Sequence, residues 1–386
     1  MAKLKEVCTF YSGTGFPTKY QGNDEGEYAF YKVGDIANNV QLGNKYLSVC
    51  NNYISGEVAK EIKGCILPKD TVVFAKIGEA VKLNRRAITS ADCLIDNNAM
   101  GLAPIQDKLR LDYFFYYMRN LKMEKLAEST TVPSVRKSLL EELEIKVPSL
   151  EEQKEIGEIL DKVSVVIQTR KQEIEQLDLL IKARFVELFG TEQEFDRWSC
   201  CTIGDVAEVY VGVVIKPTQY YTEVGVPAFR SLNIGEMKVK DNDWVYFTEE
   251  GHKKNQKSVV RTNDVLVVRS GTPGIACVVT EKYNGYNAVD IIIAHPNQDK
   301  VNSVFLAAFT NMPHGMNQIK SGTGGAAQKH FNVGGYKAMT LIIPPIELQN
   351  QFADFVRAVD KSKVAVQKAL DETQILFDSL MQKYFG

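Results

Sequence analysis

The chain carries one sequence module twice, and this internal repeat limits the fold more than any other feature. The segment around Pro148 has the sequence IKVPSLEEQKEI, and the segment around Pro344 has LIIPPIELQNQF. The offset of 196 residues between these prolines continues without a gap to ELFG, ending at Gly190, and KYFG, ending at Gly386. A tandem duplication in one polypeptide predicts a pseudo-two-fold molecule. Because its halves are not identical, such a molecule is suited to recognising two different things at a fixed separation.

A β-rich region precedes each copy of the module, from about residue 4 to 148 and from about 203 to 344. Short apolar runs bounded by turn residues predict strands within 71–78 (TVVFAKIG) and 264–271 (DVLVVRSG). The two runs correspond, since each ends in a basic residue, one further residue and a glycine. The openings of the two regions also correspond, in the pairs Leu4 and Ile203, Val7 and Val206, and Gly13 and Gly212.

Each module continues into a long helical pattern with a seven-residue apolar repeat. In the first copy a 4-3 spacing selects Ile156, Leu160, Val163, Ile167, Ile174, Leu177 and Ile181. In the second copy the same spacing selects Phe352, Val356, Val359, Val366, Leu370, Phe377 and Leu380. A repeat sustained over more than four heptads is typical of a coiled-coil seam. Helices of about 40 residues, at roughly 1.5 Å per residue, would be about 60 Å long.

Two helices related by a pseudo-two-fold axis are expected to pack antiparallel, with the β-rich domains towards opposite ends. The predicted fold is α+β, with β-rich domains at 1–148 and 191–344 and two long coiled-coil helices at 149–190 and 345–386. Either the polar residues within the seam extend into water, or they set the helix register or contact another subunit. These polar residues are Arg170, Arg184, Lys363 and Thr373.

Composition excludes several classes of protein. A chain of 386 residues can form two domains of ordinary size, and a net charge of −2 restricts any nucleic-acid binding to local patches. Seven cysteines without a CxxC spacing argue against a disulfide framework and a zinc ribbon. The start MAKLKEVCTF lacks the apolar core of a signal peptide, and no apolar run is long enough to span a membrane. We therefore expect a reducing cytoplasm.

Motifs for enzymatic chemistry are missing from the sequence. There is no GxxxxGK[ST] phosphate loop, and SGTGGAAQKH at 321–330 lacks the strand–helix context of a dinucleotide loop. The single Pro-Pro pair follows isoleucine, unlike the catalytic motif of an adenine methyltransferase. Glu144 and Lys146 lack the preceding proline–aspartate of a nuclease. The four histidines form no ligand set with metal-site spacing. The expectation is a chain without catalytic, cofactor or metal residues, whose chemistry resides elsewhere.

With these motifs in view, the chain resembles a specificity subunit of a type I restriction–modification system. The resemblance rests on the two copies IKVPSLEEQ…ELFG and LIIPPIELQ…KYFG, supported by the strand patterns ending AKIG and VVRSG and by the SGTGG loop. It covers essentially the full length. The second copy departs from the pattern in having Leu348 where the first has Glu152, which could alter a contact at the helix start.

The resemblance implies a non-catalytic DNA reader within a larger complex. Each β-rich domain would be a target recognition domain that reads one half of a split, asymmetric DNA site, while the helices set the spacer. Two methyltransferase subunits carrying S-adenosylmethionine would dock on the helices. ATP-dependent restriction subunits, with Mg, would complete the endonuclease.

Basic and amide side chains near strand ends and polar loops are the candidates for DNA contact, because phosphates are bound by Lys and Arg and base edges by Arg, Lys, Asn and Gln. In the first domain they are Lys76, Lys82, Arg85, Arg86, Arg136 and Lys137. In the second they are Lys253, Lys254, Lys257, Arg261, Arg269, Gln328 and Lys329. A solvated surface or a capped loop would also account for most of them.

The low net charge predicts weak DNA binding by the isolated chain and tight binding only in the assembled complex. Three alternatives remain at this point. One is a pseudo-dimeric helical scaffold that does not read DNA, and another is a solitary reader in a modification-only system. A stand-alone enzyme with an unrecognised site is the third, and the missing motifs disfavour it.

Overall fold

The computed structural model describes residues 1–127, 132–322 and 330–386. These residues form two compact units. Unit 1 comprises Met1–Gln172 with Gln367–Gly386, and unit 2 comprises Glu173–Val366. The division falls within both long helices. Each unit therefore contains one β-rich domain, the first part of the helix that follows this domain, and the last part of the other helix.

Unit 1 begins with alternating short strands and helices. Its strands are β1 Ala2–Lys3, β2 Cys8–Ser12, β3 Tyr28–Tyr31, β4 Tyr53–Ile54, β5 Val72–Ala75, β6 Arg86–Ile88, β7 Cys93–Ile95, β8 Ala99–Pro104 and β9 Glu144–Ile145. Its shorter helices are α1 Leu4–Val7, α2 Val33–Gln41, α3 Gly56–Glu61, α4 Leu111–Asn120 and α5 Lys137–Glu141. The first long helix, α6, spans Leu150–Phe189 and continues into unit 2.

The strands of unit 1 form an antiparallel four-stranded sheet in the order β2-β8-β5-β6 and a three-stranded sheet in the order β4-β3-β7, in which β3 and β7 are parallel. Strand β5 is buried along its whole length, so the sequence there is continuously apolar rather than alternating. The first strand, β1, pairs with β9 immediately before α6. The helix α4 supplies the aromatic side chains Tyr113, Phe114, Phe115 and Tyr116 to the core.

Unit 2 repeats this plan. Its strands are β10 Ser199–Thr202, β11 Ala207–Val211, β12 Tyr221–Thr222, β13 Val226–Phe229, β14 Ile234–Gly235, β15 Lys238–Val239, β16 Val245–Phe247, β17 Val265–Val268, β18 Ala276–Val278, β19 Asn287–Ala288, β20 Ile291–Pro296 and β21 Thr340–Ile343. Its shorter helices are α7 Ile203–Val206, α8 Glu249–Lys254, α9 Ser303–Asn311, α10 Pro313–Gly322 and α11 Val333–Ala338. The second long helix, α12, spans Ile346–Phe385 and continues into unit 1.

The main sheet of unit 2 has the order β11-β20-β17-β18, which matches β2-β8-β5-β6 strand for strand. The strands predicted within 71–78 and 264–271 are confirmed as β5 and β17. Gly13 and Gly212, which were predicted to correspond, are required for the same physical reason. A Cβ at Gly13 would lie 1.8 Å from the carbonyl oxygen of Asp96, and one at Gly212 would lie 2.3 Å from that of Ala288. Neither backbone leaves room for a side chain.

A buried glutamine ties the start of each long helix to the β-rich domain. Gln153 accepts a hydrogen bond from the backbone N–H of Arg110 at 2.8 Å and donates to the carbonyls of Lys108 and Pro148. Its repeat partner Gln349 accepts from the N–H of Asn302 at 2.9 Å and donates to the carbonyl of Pro344. Both side chains are fully buried. The recurring glutamine therefore anchors the start of each long helix to the preceding β-rich domain.

The departure at Leu348 does change a helix-start contact. In the first copy Glu152 accepts hydrogen bonds from the N–H and hydroxyl of Ser149, and its own N–H donates back to that hydroxyl. This is a capping box. In the second copy Pro345 and Leu348 occupy the two positions, so this reciprocal pair cannot form.

The long helices run antiparallel within each unit. In unit 2 Phe189 packs on Phe352, and Lys363 pairs with Asp178 at 2.6 Å. In unit 1 Tyr116 contacts both Asp161 and Phe377. The predicted apolar seam positions are all buried or half-buried.

Among the polar seam residues, Lys363 is only 18% exposed and reaches across to the other helix, which supports a role in register. Arg184 lies over the ring of Phe355 and pairs with Glu187 on its own helix at 2.8 Å. The hydroxyl of Thr373 donates to the carbonyl of Ala369.

Candidate nucleic-acid interface

In unit 1 the end of β5 lies beside the segment that leads into α5. Ile77 forms a bridge with Ser134, and the N–H of Val135 donates to the carbonyl of Lys76 at 2.9 Å. This pairing brings half-buried Lys76 close in space to Arg136 and Lys137, which are exposed. Lys137 has one carboxylate neighbour, Glu141, at 3.5 Å. We call the group Lys76, Arg136 and Lys137 the first edge.

Unit 2 makes the same connection at the end of β17. Ser270 forms a bridge with His330, and the N–H of Phe331 donates to the carbonyl of Arg269 at 3.0 Å. Here Asp290 joins the group, accepting hydrogen bonds from the Arg269 guanidinium at 2.8 Å and from the Ser270 hydroxyl at 2.9 Å. We call Arg269, Ser270, Asp290 and His330 the second edge.

The second edge fixes the hydrogen-bonding roles of its members. Because the single proton of the Ser270 hydroxyl goes to Asp290, its oxygen must accept from Nδ1 of His330, at 2.8 Å. A neutral His330 then presents Nε2 as an acceptor. Asp290 also orients the guanidinium of Arg269, whose side chain is 21% exposed. An arginine held in this way keeps donors in a fixed geometry for a base edge or phosphate.

Sequence reasoning identified Arg269 but missed its neighbours. Ser270 follows Arg269 directly, whereas Asp290 and His330 are 20 and 60 residues away from Ser270. No local pattern connects these positions. The sheet register brings them together, because β17 pairs with β20 directly after Asp290. The only available signal was a histidine at the end of the glycine-rich segment.

The prediction that Arg86 contacts DNA is wrong. Its side chain is 4% exposed and donates to the carbonyls of Met118 and Arg85 and to the side chain of Asn84. Its guanidinium also lies 5.0 Å from the ring centroid of Phe74. Burial lowers the pKa of this guanidinium to about 9. Arg86 joins α4 to the main sheet and is not available to a ligand.

The neighbouring candidates in unit 1 lie at the surface. Lys82 is exposed and pairs with Glu79 at 2.8 Å. Arg85 is half-buried and lines a groove together with residues of α4 and α6. Unlike Arg86, both side chains are accessible to solvent.

The basic run in unit 2 is also at the surface. Lys253 and Lys254 end α8, and Lys257 and Arg261 follow in the next turns, all of them exposed. Lys254 pairs with Glu250 at 2.6 Å. Lys254 and Lys257 line an open groove of about 400 Å³ beside the end of β11. The remaining candidates, Gln328 and Lys329, lie outside the described residues, as does most of the glycine-rich segment.

The described ranges contain no group of three or more His, Cys, Asp or Glu side chains arranged to hold a metal ion. In the same ranges no helix is both long and apolar enough to cross a membrane.

Comparison with known proteins decides the family. The family model described as the type I restriction modification DNA specificity domain matches residues 1–179 and again residues 196–373. The chain belongs to this family. It is the specificity subunit of a type I restriction–modification system, and the duplication seen in the sequence is the two matched domains.

Curated relatives and solved structures agree. The chain is 20% identical to the type I restriction enzyme MjaIX specificity subunit of Methanocaldococcus jannaschii, covering 99% of this chain and 91% of the relative. It is 22% identical to the EcoBI specificity subunit of Escherichia coli, covering 99% and 84%.

The solved S subunit from M. genitalium has a TM-score of 0.56 at 15% identity, covering 100% of this chain and 95% of that one. A chain from a study of complex assembly and conformational transition of the type I R-M system has a TM-score of 0.57 at 17% identity, covering 100% and 96%. At these identities the structures establish the fold.

Proposed function

We propose that each β-rich domain reads one half of a split, asymmetric DNA site, and that the helix pair sets the spacer and docks two methyltransferase subunits. Restriction subunits join the full complex. The chain supplies no catalytic group or cofactor of its own. S-adenosylmethionine, ATP and Mg act on the partner subunits.

The observation that carries this proposal is the pair of edges. Each edge follows the equivalent strand of its unit and is held by an equivalent β-bridge, yet the side chains of the two edges differ. The first edge presents cations, whereas the second presents an arginine oriented by a carboxylate beside a histidine. Two sites of equal position and unequal chemistry suit two half-sites of unequal sequence, since base edges are distinguished by donor and acceptor pattern.

A second observation supports two identical partners. The helices expose an apolar pair in each copy of the repeat: Leu179 and Leu180 are 62% and 46% exposed, and Ile375 and Leu376 are 69% and 50% exposed. The two pairs are repeat partners at the offset of 196. They lie outside the heptad seam, so helix pairing does not account for them. An exposed apolar patch that recurs with the repeat fits one protein partner docked per copy.

The test is co-expression with a modification subunit, followed by mapping of methylated bases in the host genome by single-molecule sequencing. We expect a new split motif with methyladenine in both halves. A stable complex of the expected composition that methylates no split motif would instead favour a helical scaffold that does not read DNA.

A solitary reader in a modification-only system gives the same methylation result and differs only in lacking a restriction subunit. Reconstitution with restriction subunits separates the two. ATP-dependent cleavage of unmethylated DNA carrying the motif supports the full restriction system.

A further inference from the structure

A groove on unit 1 carries more positive charge than its own carboxylate neutralises. It encloses about 440 Å³. Five cationic side chains line it, of which Arg86 is buried: Lys45, Arg85, Arg86, Arg119 and Lys171. Asp161 is the single carboxylate among the lining residues. We call this feature the basic groove.

Asp161 is already engaged. It accepts a hydrogen bond from Lys45 at 2.6 Å and another from the hydroxyl of Tyr116 at 2.5 Å. In the parts of the chain that the structure describes, Arg85, Arg119 and Lys171 have no carboxylate within ion-pair distance. Apart from the buried Arg86, the groove therefore holds three positive charges without an internal counter-ion.

Arg119 is the most desolvated of the three. Its guanidinium lies 5.9, 5.7 and 5.2 Å from the ring centroids of Phe115, Tyr116 and Phe377. Burial lowers the pKa of this guanidinium from its ordinary value. The rings offset part of the cost of removing the cation from water. An oxyanion would offset more, because the guanidinium fork matches two oxygens and the low dielectric strengthens their attraction.

The long helix contributes one polar face to the groove. Ser164, Gln168 and Lys171 line it at intervals of four and three residues, the spacing of one helix face. A hydroxyl, an amide and an ammonium group of this face therefore line the same groove as Arg85 and Arg119. All are hydrogen-bond donors that a phosphate can accept.

The groove is not a requirement of the fold. Arg110 and Asn302 bind the equivalent glutamines, so Arg119 of α4 corresponds to Asn311 of α9. The Asn311 side chain is instead fastened to the N–H and carbonyl of Ala276. The pocket beside Asn311 is lined by apolar side chains such as Ile181 and Phe185, and its two lysines are balanced by two carboxylates. Unit 2 folds without a cation at this position.

We propose that the basic groove binds a phosphate group, with Arg85 and Arg119 on its oxygens and Lys171 as a third cation. Duplex DNA and free phosphorylated small molecules both offer this chemistry. The site deepens the proposed function if the phosphate belongs to DNA, because it adds a sequence-independent contact to unit 1 alone.

The experiment compares the full-length chain with the double variant Arg85→Gln/Lys171→Gln. A matched control, Lys162→Gln/Lys361→Gln, removes two exposed charges outside the groove. Arg119→Lys keeps the charge but removes the fork. One arm measures binding of a labelled random-sequence duplex by fluorescence anisotropy from 50 to 200 mM salt. The other measures thermal unfolding in inorganic phosphate against sodium chloride at equal ionic strength, with circular dichroism to verify folding.

If the phosphate is that of DNA, the slope of log affinity against log salt falls by about two in the groove variant. The slope of the control variant does not show this fall. If the source is a free phosphorylated compound, inorganic phosphate stabilises the wild type and control more than the groove variant, and the DNA slopes stay equal. The proposal is overturned if groove and control variants behave alike in both arms.

The two arms also separate this inference from the proposed function. If the reconstituted complex methylates no split motif, half-site reading is contradicted, whatever the groove binds. A reconstituted complex that methylates its split motif normally, built on a chain that shows no phosphate effect in either arm, would contradict the groove alone.

Discussion

Units 1 and 2 share the buried contacts that hold the long helices to the β-rich domains, and they differ in their polar surfaces. Gln153 and Gln349 bind equivalent backbone groups, and the main sheets have the same strand order. The edges after β5 and β17 are held by the same bridge but present different side chains. The groove beside α4 has an excess of basic side chains, whereas the pocket beside α9 has equal numbers of lysines and carboxylates.

The difference teaches which positions the fold demands and which it leaves open. A buried polar group without a partner costs about 1–3 kcal/mol, so a glutamine that satisfies backbone groups is retained in both copies. A surface side chain beside a strand end carries no such constraint. Recognition can therefore diverge between the units while the scaffold stays duplicated.

The largest expected effect concerns what the units share. Replacing Leu179 and Leu180 with glutamine removes one exposed apolar pair, and replacing Ile375 and Leu376 removes the other. Each double variant should lower the affinity for one methyltransferase subunit by about 100-fold, or ~2.7 kcal/mol, because two large apolar side chains lose their burial. Native mass spectrometry of the complex should then show one methyltransferase subunit instead of two.

The matched control for docking is Leu42→Gln, which removes a 55% exposed leucine from a β-rich domain. It should leave the stoichiometry at two. If both helix variants retain two partner subunits at near-stoichiometric concentration, the repeated apolar pair is not the docking surface.

Replacing the shared glutamine should have an effect of similar size. Gln349→Leu leaves the N–H of Asn302 and the carbonyl of Pro344 without their partner and should destabilise unit 2 by about 2–4 kcal/mol. Both tryptophans, Trp198 and Trp244, lie in unit 2, so urea unfolding followed by tryptophan fluorescence reports that unit. Gln153→Leu should cause a loss of the same size that is detected by far-ultraviolet circular dichroism.

Gln176→Leu, at an exposed position of α6, is the control and should change stability by less than about 0.5 kcal/mol. A loss confined to one of the two buried glutamines would break the equivalence of the units. It would mean that the second helix, which lacks the Ser149–Glu152 capping box, depends on its glutamine to a different extent.

The scaffold was predictable from sequence because periodicity reports burial. The 4-3 spacing identified seam residues such as Leu160 and Phe377, and apolar runs identified β5 and β17. The exposed pair Leu179 and Leu180 falls outside that spacing. Its exposure could have been anticipated from the sequence, although its use could not.

The candidate site was less predictable because charge in a sequence does not reveal neighbours. Arg86 follows Arg85 directly in the sequence. Arg86 begins β6 and its side chain is buried, whereas the side chain of Arg85 is half-buried at the groove. Asp290 and His330 join Arg269 only through sheet register and a bridge. Such contacts depend on tertiary structure and leave no local pattern.

A smaller effect should distinguish the edges. In the reconstituted complex Arg269→Gln should relax base preference in one half of the methylated motif, at a cost of about 1–2 kcal/mol, because an oriented arginine is suited to bidentate base contact. Lys76→Gln should affect only the other half. Sequencing of methylated DNA measures both outcomes, with the exposed substitution Lys361→Gln as the control. Relaxation of both halves by either single variant would contradict the assignment of one edge to each half-site.

The smallest effect concerns acid sensitivity at the start of the chain. Hydrogen bonds from Lys3 and Lys5 lower the pKa of Glu142 to about 2, from an ordinary value of 4.5. A depressed carboxyl pKa stabilises the fold above the ordinary value, and this contribution is lost as pH falls through the folded pKa. The position equivalent to Glu142 in unit 2 is Ala338, which cannot titrate.

Acid should therefore loosen β1 before it loosens β10. We expect amide exchange of β1, relative to β10, to rise as pH falls from about 4.5 towards 2, after correction for the intrinsic exchange rate. Glu142→Gln should remove this pH dependence and leave β1 at its acid-state protection throughout. Because Lys3, Lys5 and Glu142 are at the surface, the change should stay local and leave Trp-monitored stability of unit 2 unaltered. Equal acid sensitivity of β1 and β10 would show that the strand pairs, rather than the carboxylate, control the response.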